Sequence, residues 1–250
     1  IAAARRSFYP GGMERLEQIS NGFMQAKILL AAAELRVFER LRGGGVTVRA
    51  LAASERWDER AAEILLDALV AMGLLTKIGD SYRNDPVLEP YLLEDSPAHF
   101  VAMLRHRNLM FRKWSAIEDL VRGQAPAKQE SRAQIAEPAA NENFIRAMQY
   151  ASGDTAASVV EKIGVGGARA IADLGGGPGH YLVEMGKRAP GAELYLIDLP
   201  LTLDAARRIL AGNKDGERVR FVPWNFYADP PPAALPPFDL VLLSQVLHAA

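Results

Sequence analysis

The sequence predicts an α/β protein, with a parallel, doubly wound sheet in its C-terminal part behind a mostly helical N-terminal module. Three observations carry this reading. Ile171-Ala172-Asp173-Leu174 runs straight into Gly175-Gly176-Gly177-Pro178-Gly179, and a helical pattern follows over 181–188. A second apolar run, 192–197, ends in the carboxylate of Asp198. Further apolar runs at 218–223 and 239–243 alternate with a helical pattern at 203–211, and strands alternating with helices build parallel sheets.

The N-terminal part reads differently. Residues 1–19 are mixed, with a break at Pro10-Gly11-Gly12. A helix is expected over 21–41, apolar nearly all round, which marks a helix buried in a core or at an interface. Gly43-Gly44-Gly45 ends it. Thr47 is placed to cap a short helix at 48–53, and Asp58 to cap a longer one at 59–72. On the latter, Ile64, Leu65, Leu69 and Val70 are expected to face inward, with Gly73 as the stop. Two short strands, 74–78 and 81–83, flank the hairpin signal Gly79-Asp80. Three helices and a hairpin make a winged-helix module, which can bind DNA or serve as a dimerisation scaffold. The would-be recognition helix carries Asp58, Glu59, Glu63 and Asp67 against Arg60, and such a surface repels phosphates.

Asp85-Pro86 and Glu89-Pro90 break the chain before helical segments at 97–112, 114–122 and 142–151, with a polar, proline-containing excursion over 124–138. A helix over 155–163 leads into the glycine strand. The run 241–247 is too apolar for an exposed sheet edge, so the natural protein is expected to continue past Ala250.

Composition narrows the function. Apolar residues make up 49% of the 250, enough for a sizeable core, and the net charge of −1 advertises neither nucleic acid nor an anionic membrane. There is no cysteine, hence no disulfide, thiolate nucleophile or Cys-ligated metal. No apolar run reaches the length of a membrane span, and no signal-peptide layout opens the chain, so a soluble cytoplasmic protein is expected.

The glycine stretch carries the chemistry. Glycines let a backbone pass close beneath a ligand, and the helix that follows presents free N–H groups and a positive dipole end, which suit a carboxylate or phosphate. The dinucleotide fingerprint would need a glycine where His180 stands, so a dehydrogenase is disfavoured. The pattern present is Gly175-x-Gly177-x-Gly179 after the acidic Asp173, and Asp198 closes the next strand where it can accept hydrogen bonds from ribose hydroxyls.

Taken together, the chain resembles the SAM-dependent (S-adenosyl-L-methionine-dependent) O-methyltransferases of plant phenolics and bacterial polyketide-type natural products. The resemblance rests on Leu30-Ala31-Ala32-Ala33-Glu34-Leu35 with Val37-Phe38, on Leu65-Leu66-Asp67-Ala68-Leu69-Val70-Ala71-Met72-Gly73-Leu74-Leu75, and on Asp173 to Gly179. It rests also on Asp198-Leu199-Pro200 and on Leu243-Ser244-Gln245-Val246-Leu247-His248. It implies a winged-helix dimerisation domain at 1–95, linker helices lining an acceptor pocket at 96–154, and a Rossmann-like class I methyltransferase domain at 155–250. It further implies a homodimer with Phe23 and Met24 near the partner, no metal, no nucleic acid and no membrane. Asp173, Gly175, Gly177 and Gly179 would hold the methionine end of SAM, Asp198 its ribose, and Leu199, Asn225 and Phe226 its adenine. Ser152 would also touch the cofactor. Phe144, Met148, Met103 and Trp114 would line the acceptor pocket, and His248 would be the general base. Two departures stand out: Trp224-Asn225-Phe226 where the family has Gly-Asp and an apolar residue, and Ala249-Ala250 where it has Asp-Trp after the histidine. They leave room for a SAM-binding relative with decarboxylase or hydroxylase chemistry, and a winged-helix transcription regulator is the other alternative.

Overall fold

The structure, a computed structural model, describes residues 11–96, 98, 100–124 and 137–246. The chain forms two compact units, residues 1–116 and 117–250. The middle helices therefore part company: 101–114 belong to the first unit and 138–163 to the second.

In the first unit, helix α1 (Gly11–Glu34) begins ten residues before the expected helix and stops seven short of its end. The chain turns at Arg36, whose φ of 57° is left-handed, and resumes as α2 (Val37–Arg40). That turn drops Val37 and Phe38 into the core, where they are fully buried. The apolar pattern of 21–41 thus serves two helices rather than one. The short strand β1 (Val46–Thr47), absent from the sequence reading, leads into α3 (Val48–Glu55), and the Thr47 hydroxyl accepts the Ala50 N–H at 3.3 Å as the expected cap. Asp58 caps α4 (Glu59–Ala71), accepting the Ala61 N–H at 2.7 Å. Its buried face is Ala62, Leu66 and Leu69; Leu65 and Val70 are half-buried, and Ile64 points to solvent at 56% exposure. The 3.6-residue period runs through 62, 66 and 69, one step off the stripe read from the largest side chains.

The hairpin is β2 (Leu75–Ile78) and β3 (Ser81–Asn84), antiparallel, with Gly79 at φ +57° in the turn. With β1 it makes a three-stranded sheet in the order β1-β3-β2. Tyr82 is fully buried, and its hydroxyl donates to Asp67 at 2.6 Å, tying the sheet to α4. Buried Asn84 donates to the Phe38 carbonyl at 2.9 Å and fixes the α2 turn. After α5 (Glu89–Leu92), helix α6 (Val101–Trp114) packs along α1.

The second unit opens with the short α7 (Ile117–Val121). Residues 125–136 of the expected polar excursion lie outside the described residues. Helix α8 (Pro138–Ile163) then fuses what the sequence suggested were two helices. Glu137 caps it, accepting the N–H groups of Ala139 and Ala140. The gap expected between 151 and 155 is helical: its one glycine, Gly153, costs a helix only about 1 kcal/mol, which the packing of α8 against two helices offsets. Strands β4 (Ala170–Leu174), β5 (Glu193–Asp198), β6 (Val219–Pro223) and β7 (Leu240–Leu242) form a parallel sheet in the order β6-β5-β4-β7. Helices α9 (His180–Arg188) and α10 (Pro200–Leu210) complete the unit. Pro200 begins α10 three residues earlier than expected, because a proline fits the first helical turn. β7 is an edge strand, with Val241 at 45% exposure.

Phe38→Ala is expected to destabilise the first unit by about 3–5 kcal/mol, and Asp58→Ala by about 1 kcal/mol through loss of the cap. Chemical denaturation followed by circular dichroism tests both; equal costs would contradict the assignment of the core to Phe38.

Candidate active site

The strand order places a crevice. From β4 the chain winds outward through β5 and β6, then returns to the other side of β4 as β7. At such a reversal the loops at the carboxyl ends of the strands diverge and leave room for a ligand. The glycine loop sits there, between the end of β4 and the start of α9.

Each glycine answers a different constraint. Gly175 has φ +72°, and a Cβ there would lie 2.7 Å from Val246 Cγ2 and 3.5 Å from the ring of Phe226. Gly176 has ordinary φ, but its Cβ would fall 2.5 Å from both Asp173 Cγ and Leu196 Cδ1. Gly177 has φ +54° and open space, the nearest atom to its would-be Cβ being Ile145 Cδ1 at 4.0 Å. Gly179, at φ +79°, precedes α9 and packs against Leu210 and Leu196. Gly176 was not singled out from the sequence; the unbroken glycine triplet was the signal for it.

Asp198 holds the loop in place. Its two oxygens accept the N–H of Gly177 at 3.0 Å and of Leu199 at 2.7 Å, and Thr202 adds a side-chain hydrogen bond. Burial pushes its carboxyl above the ordinary range, and these hydrogen bonds pull it back. The Gly175 N–H donates to the Ile197 carbonyl at 2.7 Å, a second tie between loop and β5.

Asp173 is the opposite case. It is 1% exposed, and neither carboxylate oxygen has a hydrogen-bond partner among the described residues. Burial, and secondarily the nearby Asp198, pushes its carboxyl up to about 7. A buried carboxylate without partners is costly as an anion, so the neutral acid is favoured.

The remaining expected residues fall into three groups. Phe226 lies over the glycine loop, tilted against Tyr227 with ring centroids 4.7 Å apart, and Leu199 sits at the start of α10. Asn225 Oδ1 accepts the Tyr227 N–H at 3.3 Å, so part of its acceptor capacity shapes this turn. Phe144, Met148 and Ser152, four residues apart, form one stripe of α8, and all are half-buried. Ser152 meets the site through His180: its Oγ lies 3.2 Å from His180 Nδ1 and donates to the Met148 carbonyl at 2.9 Å. His180, at the place of the absent fingerprint glycine, thus docks the start of α9 onto α8. Burial, first, lowers its pKa. In the first unit, Met103 is buried at 7% exposure, whereas Trp114 is 67% exposed. His248 lies outside the described residues. No group of three or more His, Cys, Asp or Glu among the described residues could hold a metal ion, and none of their helices is long and apolar enough to cross a membrane.

A glycine loop at the carboxyl ends of parallel strands, gripped by the acidic residue that closes the next strand, defines an α/β domain of the nucleotide-binding type. Comparison with known proteins is more specific. A family model described as the O-methyltransferase domain matches residues 126–250, and one described as the O-methyltransferase dimerisation domain matches 17–93. The chain belongs to this O-methyltransferase family. It is 32% identical over 240 residues to the 3-hydroxy-5-methyl-1-naphthoate 3-O-methyltransferase of Streptomyces sahachiroi, covering 93% of this chain and 68% of that protein. Among solved structures, an O-methyltransferase family protein from Burkholderia thailandensis superposes with a TM-score of 0.69 at 34% identity, covering 88% of this chain and 65% of that one. Human N-acetylserotonin methyltransferase, solved in complex with SAM, gives a TM-score of 0.74 at 29% identity, covering 97% of this chain and 73% of that one. The chain thus spans about two thirds of the length of the relatives it matches.

Two stability predictions follow from this geometry. Gly176→Ala should cost more than Gly177→Ala, because overpacking against Asp173 and Leu196 costs about 1–3 kcal/mol and starts from no relief elsewhere, whereas Gly177→Ala meets only the left-handed backbone cost of about 1–2 kcal/mol. Thermal unfolding orders the two, and the reverse order would contradict the packing. Asp173 has a folded value raised above that of the unfolded chain, so its stabilising contribution is complete below the ordinary value of 3.8 and is lost as pH rises through about 7. Asp173→Asn should therefore gain stability relative to wild type between about pH 4 and pH 8. A difference in melting temperature that does not change with pH would refute this.

Proposed function

We propose that this protein is a SAM-dependent O-methyltransferase that moves a methyl group to a hydroxyl of a small aromatic or polyketide-like acceptor. The observation that carries the reading is the glycine loop at the sheet's switch point, gripped by Asp198 and lying over the unpartnered carboxyl of Asp173. These residues fit the cofactor. Open space lies over Gly177, Phe226 offers a ring at Gly175, and Asp198 keeps lone pairs for ribose hydroxyls beyond those it gives to the loop. The start of α9 suits the carboxylate of the methionine end, and Asp173 supplies the opposite charge for its amino group. Leu199 would pack on the adenine edge, and Ser152, held by His180, would face the methionine end.

When bound, SAM supplies an electrophilic methyl group on a positively charged sulfur. The chain's own part is to position the acceptor and take its proton. A phenol ionises near 10, so at neutral pH a placed imidazole, which we assign to His248, removes the proton as the oxygen attacks. Phe144 and Met148 on α8 would shape the acceptor pocket; flat rings and flexible thioethers suit an aromatic ligand.

The protein is further proposed to be a homodimer. Met13, Leu16, Ile19, Phe23 and Met24 all lie exposed on α1, within the helix that enters the matched dimerisation domain. Phe23→Asp combined with Met24→Asp should convert the dimer to monomer in analytical ultracentrifugation; a wild-type monomer would end this reading.

Calorimetric titration with SAM and with S-adenosylhomocysteine tests the cofactor assignment. Wild type should bind both, and Asp198→Ala should lose at least about tenfold in affinity, the equivalent of one charge-assisted hydrogen bond. Because Asp198 also pins the loop, the variant's melting curve is measured alongside. Acceptor turnover should add one methyl group and fall by about 10²–10⁴ in His248→Ala. A product without the added methyl mass would move the protein to non-methylating chemistry.

A further inference from the structure

Asp173 and Asp198 close adjacent strands and meet the same loop, yet they are treated in opposite ways. Asp198 is well supplied: two backbone N–H groups and a hydroxyl address its oxygens, a set that stabilises an anion. Asp173 has none of these. It is sealed under the loop, and both its oxygens are without protein partners among the described residues. What covers it is thin. Gly176, lacking a Cβ, sits directly on the carboxyl; even one carbon there would lie 2.6 Å from Asp173 Oδ2. Only the backbone of Gly176 therefore covers this buried carboxyl on the loop side.

We propose that Asp173 is a specificity-determining residue that reads positive charge on the ligand by losing a proton: it is a neutral acid in the free protein and ionises when the ligand's α-ammonium group docks on the loop above it. The proton passes to solvent, so the charge of the site stays balanced as the cation enters. This rests on the cofactor reading given above. The geometry supports it, since an ionised Asp173 beside the anionic Asp198 has no compensation until a cation arrives. The upward displacement of the Asp173 carboxyl to about 7 places the exchange near neutral pH. The other titratable groups around the loop behave differently. Asp198 is the charged neighbour that opposes ionisation of Asp173. His180, with Glu184 and Lys187 beside it, is held below its usual value, so an anion docking at the start of α9 would make it take up a proton, not release one.

The test is proton counting by calorimetry. Wild-type protein at about pH 6 is titrated with S-adenosylhomocysteine in buffers of different ionisation enthalpy. The ligand's own groups do not titrate there, and wild type should release close to one proton more per ligand bound than Asp173→Asn, whose His180 responds alike, as a carboxyl with a pKa near 7 requires. Affinity should weaken about tenfold for each pH unit below 7. Asp173→Asn should abolish most of the release. 5′-Methylthioadenosine, which keeps the nucleoside but lacks the ammonium group, should bind without releasing a proton. Wild-type release that does not exceed that of a folded Asp173→Asn variant overturns the proposal while leaving the cofactor reading intact. Equal release with 5′-methylthioadenosine, or undiminished release in a folded Asp173→Asn variant, also overturns it. No binding of S-adenosylhomocysteine at all removes the cofactor reading together with this inference.

Discussion

The second unit depends on one carboxylate. Asp198 accepts from Gly177 and from Leu199, and so joins the end of β5, the glycine loop and the first turn of α10 in one short network. Without it, a loop with three left-handed glycines would have little to choose one conformation over another. Thr202, one turn into α10, supports the same carboxylate and accepts a hydrogen bond from Asn141 at 3.4 Å, which extends the network to α8. The residue that would hold a ribose is thus also the residue that shapes the surface on which the nucleoside would lie.

The loop's second constraint is steric. Gly176 has ordinary backbone angles and is glycine only because Asp173 and Leu196 occupy the space a side chain would need. This arrangement brings a buried acid within a backbone's thickness of the crevice. Low dielectric makes an unpartnered carboxylate expensive, so the neutral acid is favoured there. Structure and electrostatics are inseparable at this point, since the glycine that admits the carboxyl also exposes the ligand to its field.

Much of this was legible in the sequence. The four strands of the parallel sheet, the hairpin, and the caps Thr47 and Asp58 sit where apolar runs, Gly79-Asp80 and short polar side chains put them. Elements whose boundaries are set by packing were not. The 21–41 pattern divides at Arg36 because burying Val37 and Phe38 outweighs the cost of a left-handed residue. Helix α8 continues through Ser152-Gly153 because its neighbours hold it straight. Ile64 faces out, since small Ala62 fits the contact that its own size suggested for it.

The sequence by itself determined the fold class and placed the glycine loop between Asp173 and Asp198, because these depend on local periodicity and on residue types that a tight turn or a strand end favours; the family was legible through the resemblance of its motifs. Tertiary structure alone decided that Asp173 lies sealed and unpartnered, that Asp198 spends both oxygens on the backbone, that Phe226 folds over Gly175, and that His180 reaches Ser152 across 28 residues. Those facts are distances between elements remote in the chain, and a carboxylate's protonation follows from what surrounds it in space, which no local pattern of residues records.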